Sequence, residues 1–164
     1  MDELSDDLAA WEGAGARARE RSLRRQAEQS ATLAGVLLDL AERGSDVAVR
    51  VVGTAGLRAG RISAVGTDFF VLGPSYIPMA AVASVRASDG TTVSGSRVVP
   101  QDSMVTLTLA AALAELAEER QPVSISLDGG DSVQGELRAV GDGVLSIGSD
   151  QWVALDAVRV LTLV

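Results

Sequence analysis

Thr32-Leu-Ala-Gly-Val-Leu-Leu-Asp-Leu-Ala-Glu42 and Thr108-Leu-Ala-Ala-Ala-Leu-Ala-Glu-Leu-Ala-Glu118 are one sequence written twice, with seven of eleven positions identical. Apolar residues fall at Leu33, Val36, Leu37, Leu40 and Ala41, and again at Leu109, Ala112, Leu113, Leu116 and Ala117. The spacing i, i+3, i+4, i+7, i+8 is a single apolar stripe on a helix. Thr32 and Thr108 are the expected N-caps. Gly44 is expected to end the first helix in a left-handed turn, and Pro122 to stop the second.

The likeness continues beyond the helices. Val47, Val49 and Val51 alternate with other residues, as do Val123, Ile125 and Leu127, which marks half-buried strands. Gly53 and Gly129 then mark turns. A long second strand follows, with Leu57, Gly60, Ile62 and Val65 against Val133, Gly135, Leu137 and Val140. A glycine inside a strand marks a bulge or a sharp bend. Gly66 and Gly141 announce the next turns. Phe69–Leu72 and Val144–Ile147 read as third strands, Tyr76–Met79 and Trp152–Leu155 as fourth, and Val82–Val85 and Val158–Leu163 as fifth.

The expected fold class is mainly β with helices (α+β): tandem five-stranded barrels of SH3-like type, each preceded by a helix, plus an N-terminal helical extension. The expected domains are a helical extension at 1–30, barrel copy one at 31–87, a linker at 88–105 and barrel copy two at 106–164. Residues 87–105 are rich in Ser, Gly and Thr, carry Pro100, and leave Val98 and Val99 to pin the segment to a barrel.

This pattern resembles the Sm-like fold of the Sm, LSm and Hfq proteins. Val49-Arg50-Val51-Val52-Gly53, Gly60-Arg61-Ile62-Ser63-Ala64-Val65 and Asp68-Phe69 look like the first Sm motif. Ile125-Ser126-Leu127-Asp128-Gly129, Gly135-Glu136-Leu137-Arg138-Ala139-Val140 and Asp142 look like it again. The resemblance implies small bent-sheet barrels whose fourth and fifth strands expose edges, and such edges pair in Sm-like rings. Either the two copies pair with each other or several chains close a pseudo-symmetric ring. The family's RNA-reading residues do not come with the motif. Phe69-Phe70-Val71-Leu72 and Val144-Leu145-Ser146-Ile147 lack the strand-three Asn. Met79-Ala80 and Leu155-Asp156 stand near the place of the Arg-Gly pair. Tyr76 alone resembles a strand-four residue of Hfq.

Composition narrows the chemistry. The 164 residues include no Cys and no His, and all 14 basic residues are Arg. The usual general base, thiolate nucleophile, Schiff-base amine and P-loop lysine are therefore missing. Asp128/Asp131 and Asp89/Asp102 are carboxylate pairs in turn-forming contexts, where Asp bonds its local backbone. No enzyme activity, cofactor, metal or small-molecule substrate is expected. The acidic N-terminus lacks a signal-peptide pattern, and no apolar run reaches membrane-spanning length. A cytoplasmic protein with no membrane partner is expected.

The formal net charge of -8 is uneven. Residues 31–100 hold six Arg against five acids, whereas residues 101–164 hold three Arg against ten acids. Phosphate affinity would have to come from the first hundred residues. Arg50, Arg58, Arg61 and Arg86, with Arg97 and Tyr76, are the candidate nucleic-acid contacts. If Ile62 faces the core, Arg61 faces solvent, while Arg58 reaches solvent only through a bulge at Gly60 or by snorkelling. In the extension, Arg17, Arg21, Arg24 and Arg25 share a helix face. Leu4, Leu8 and Trp11 form a candidate partner-docking stripe. Two functions follow: a protein-interaction or self-association module, or an RNA binder.

Overall fold

The computed structural model describes residues 3–88 and 106–164, and within the first helix the side chains of residues 15–26, 28 and 29. Helix α1 spans Glu3–Gln29 and α2 spans Leu33–Glu42. Five strands follow: β1 (Asp46–Val51), β2 (Arg58–Val65), β3 (Phe69–Leu72), β4 (Ser75–Pro78) and β5 (Val82–Ala87). The order then repeats as α3 (Leu109–Glu118), β6 (Pro122–Leu127), β7 (Ser132–Val140), β8 (Val144–Ile147), β9 (Gln151–Ala154) and β10 (Val158–Leu163). A single 3-10 turn, Met79–Ala81 or Leu155–Ala157, precedes each last strand. Of the expected linker at 88–105, residues 89–105, with Arg97, Val98, Val99, Pro100 and the Asp89/Asp102 pair, lie outside the described residues.

Local chemistry explains both helices. Thr32 Oγ1 accepts from the Gly35 N–H at 3.1 Å, and Thr108 Oγ1 from the Ala111 N–H at 3.2 Å. Each hydroxyl satisfies one of the unpaired amides of a first turn. Each C-terminus closes with the same pair of bonds. Gly44 N–H reaches Ala41 O and Ser45 N–H reaches Leu40 O; Arg120 N–H reaches Ala117 O and Gln121 N–H reaches Leu116 O. This Schellman arrangement needs a left-handed residue. Gly44 supplies it at φ 63°, but copy two places Arg120 there at φ 51°. The second helix therefore ends at a strained Arg120, and Pro122 opens β6 instead of stopping the helix.

All strand pairs are antiparallel, in the order β5-β1-β2-β3-β4-β10-β6-β7-β8-β9. The sheet is one open ten-stranded sheet. Copy one's fourth strand pairs with copy two's fifth, and no ladder joins β4 to β5 or β9 to β10 among the described residues. Two clusters fill the interior. One gathers Leu37, Val47, Val49, Ile62, Phe70 and Ile77; the other gathers Leu113, Val123, Ile125, Leu137, Leu145 and Val153.

The strand glycines act differently from the bulge expectation. Gly60 pairs with Val47 and Gly135 with Val123 in regular ladder. The register shifts come later, between Ile62 and Ala64 and between Leu137 and Ala139. At Gly135 a Cβ would lie 2.7 Å from Ile147 Cγ2, so this glycine admits the neighbouring strand's side chain. At Gly60 the added atom would meet Leu72 at an ordinary 3.6 Å.

Arg120→Gly should stabilise the fold by roughly 0.5–1 kcal/mol, because a left-handed non-glycine costs about 1–2 kcal/mol and the freer unfolded glycine returns part of that. The lost Arg120–Glu136 pair, 3.6 Å apart on the surface, contributes little. Urea unfolding with an unchanged slope reads the gain; a lower midpoint refutes it.

Candidate interaction surfaces

The junction between the copies holds more chemistry than the sequence announced. In the β4–β10 ladder Tyr76 faces Leu161 and Ser75 faces Thr162. The Leu163 N–H donates to Pro74 O at 3.0 Å, and the Ser75 and Thr162 hydroxyls meet at 2.9 Å. Side chains also cross over. Val160 of β10 is fully buried in the copy-one core, and Phe69 of β3 is buried in the copy-two core. Phe69 stacks on Tyr76, centroids 6.0 Å apart and planes 18° apart.

Asp68, read from sequence only as part of an acidic turn, reaches into the other copy. Its carboxylate accepts the Leu109 N–H at 2.7 Å, at the N-terminus of α3. There it satisfies a second unpaired amide and complements the helix dipole. Thr67 adds two bonds to Leu107 O, from its amide and its hydroxyl, each at 3.1 Å. No sequence signal pointed to these contacts, because they join residues about forty positions apart across two repeats.

A groove of about 240 Å³ runs along this junction, floored by Phe69, Val71, Tyr76, Leu107, Ala112 and Leu116 and rimmed by Glu115 and Glu119. Burial raises the Tyr76 pKa, and the charges of Glu115 and Glu119 add to that. Tyr76 thus belongs to the internal junction.

The candidate arginines do not all converge. Val47 and Val49 face the core, so by alternation Asp46, Ala48 and Arg50 share the other face, where Asp46 and Arg50 are exposed and Ala48 is covered. Arg61 pairs with Asp46 and Arg86 with Ala48, which brings Arg50, Arg61 and Arg86 to one outer face. Asp46 lies within that patch and holds Arg61 at 3.1 Å. Arg58 pairs with Val49 on the opposite face and is half-buried; the ladder between Arg58 and Arg61 is regular, so no bulge turns it outward. Arg17, Arg19, Arg21, Arg24 and Arg25 are exposed along α1. Leu4, Leu8 and Trp11 belong to α1, with their side chains outside the described residues.

The carboxylates near Asp128 read as turn chemistry. Gly129 and Gly130 take φ 96° and 90°, and Leu127 N–H donates to Asp131 O. Asp128 pairs with Arg159 at 2.9 Å. Among the described residues no group of three or more acidic side chains is placed to hold a metal ion, and no helix is long and apolar enough to cross a membrane. Comparison with known proteins returns no matching family model, no matching curated protein and no matching solved structure.

Two measurements check the junction. Asp68→Ala should cost about 1 kcal/mol in chemical denaturation, and Asp68→Asn clearly less, since an amide oxygen can still accept the Leu109 N–H. Equal losses would refute the capping role. Tyr76 is the chain's one tyrosine, so its ultraviolet titration is unambiguous. The midpoint should lie above the ordinary phenol range and move down in Glu115→Gln plus Glu119→Gln. The unfolded phenol then ionises first, so stability contributed by the neutral ring is fully present below the ordinary phenol pKa and is lost as pH rises from there through the raised folded value. A midpoint at or below that of free tyrosine would contradict the burial.

Proposed function

We propose that the chain is a non-catalytic binding and assembly module, built from two divergent Sm-like barrels fused edge to edge and working through its sheet edges. The carrying observation is the β4–β10 ladder: one edge of each copy is consumed inside the chain, while β5 and β9 remain as the ends of the sheet. Unpaired strand edges are templates for further pairing. The residue inventory supports the reading. A chain with no His, Cys or Lys offers few routes to nucleophilic or general-base catalysis. Asp68 and Asp128 are engaged in a helix cap and an ion pair.

A second reading, RNA binding, is favoured by one observation, the shared outer face of Arg50, Arg61 and Arg86. The acidic balance of the chain and the Asp46–Arg61 pair work against it.

Titration of short labelled RNA and DNA at about 50 and about 200 mM salt separates the two, since multi-phosphate contacts lose orders of magnitude in affinity over that range. The assembly reading expects no tight binding at either salt. Tight binding that collapses with salt and disappears in Arg50→Glu plus Arg61→Glu would overturn it in favour of RNA.

A further inference from the structure

The groove at the junction is rimmed by a charge pattern that the first repeat lacks. With Thr108 aligned on Thr32, Glu115 and Glu119 fall on Asp39 and Arg43. In α2 those two positions neutralise each other, with Arg43 Nε and Nη2 each 3.1 Å from an Asp39 oxygen. In α3 both positions are acidic and one turn apart, and neither has an ion-pair partner among the described residues. Glu119 accepts only from a neutral amide, Gln121 Nε2 at 2.9 Å. Like charges at i, i+4 repel. These two stand above an apolar floor that includes the stacked Phe69 and Tyr76. Copy one answers the carboxylate at this place with a guanidinium, and copy two does not. The groove therefore suits cations carried on apolar stems. Arginine has that shape: its stem lies on apolar surface, and its planar head stacks on a ring or bonds a carboxylate.

One segment of the chain offers that chemistry. Every residue from Ala16 to Gln26 in α1 is exposed, and the stretch holds five Arg against one acid, Glu20. Among the described residues none of the five has an ion-pair partner. A helix exposed on all sides draws no stability from packing. Arg21 and Arg25 are one turn apart, the spacing of Glu115 and Glu119, so the two rows match when the helices lie side by side. Ala18 and Ser22 flank them and are small enough for close approach. In its own chain α1 is tied to α2 by only three residues, Ser30–Thr32, and lines no part of the groove.

We infer that α1 of a second copy of this chain docks in the groove, with Arg21 and Arg25 against Glu115 and Glu119 and their stems on Tyr76 and Leu116. Charge supports the choice, since the groove's rim belongs to the half of the chain with three Arg against ten acids. Two chains that exchange helices in this way close as a dimer. The contact uses no sheet edge, so it goes beyond the reading above and can fail without it.

Sedimentation velocity on the full chain should show self-association at about 50 mM salt that weakens at about 200 mM, because exposed charge pairs are screened. Arg21→Glu plus Arg25→Glu should weaken it by about tenfold, and Glu115→Arg plus Glu119→Arg by as much, each removing two exposed pairs. All four residues are exposed, so the changes leave the core intact. Mixed in equal amounts, the two double variants should associate again: the basic helix of one meets the acidic groove of the other, and the acidic helix meets the basic groove. A chain that stays monomeric at the highest attainable concentration would overturn the second copy as the occupant. Association that neither charge change weakens would overturn the groove as its site while leaving pairing through sheet edges standing. Loss in both variants with no recovery on mixing would overturn the facing of helix and groove. The non-catalytic reading is decided separately, by the nucleic-acid titration.

Discussion

The exchange of side chains across β4 and β10 is the constraint on which the rest of the structure depends. Val160 completes a core made otherwise by copy one, and Phe69 completes a core made otherwise by copy two. Removing either leaves a void in the other repeat's interior, where packing is dense and lost contacts are not recovered by small shifts. The ladder bonds, the Ser75–Thr162 contact and the Asp68 cap act on the same boundary. The two repeats therefore share their hydrophobic interior, and the sheet continues through both.

What the sequence made legible was local. A helix stripe, a threonine cap and an alternating strand are each written within a dozen residues, and Phe69–Leu72, Val144–Ile147 and Val158–Leu163 fall where the turn glycines and the even spacing placed them. The boundary was legible only as a pair of alternatives, because pairing of β4 with β10 joins residues 87 positions apart and no local pattern encodes the partner. Asp68 looked like any turn aspartate for the same reason. The strand glycines misled in a specific way: a glycine admits either a bend or a close neighbour, and the sequence does not say which. At Gly135 the neighbour is Ile147, and the bulges fall beyond Ile62 and Leu137. Arg120 hid a helix end, since only glycine announces a left-handed residue.

The candidate site was less legible than the fold. Parity alone separated Arg61 from Arg58, and the ladder keeps that separation. Parity within one strand could not say that Arg50 and Arg86, on neighbouring strands, come to the same face as Arg61. Nor could it say that Tyr76 is covered by α3 from the other repeat, with Glu115 and Glu119 above it. Aromatic residues at edges look like ligand contacts in sequence, and the fate of the edge decides what they are.

Fusion gives a physical reason for the divergence of the copies. Once two equivalent units share a chain, the junction between them forms at the high effective concentration of a tether, and its residues are free to become wholly apolar. Val160 and Leu161 have done so. The ends of the sheet face a different demand: an edge as apolar as the internal one would aggregate in the free chain. Ser84, Arg86 and Gln151 stand where Val160, Thr162 and Ser75 stand inside, each more polar or longer than its counterpart, while Trp152 keeps the aromatic character of Tyr76. The same aromatic position is thus half-buried inside the chain, at Tyr76, and bare at its end, at Trp152.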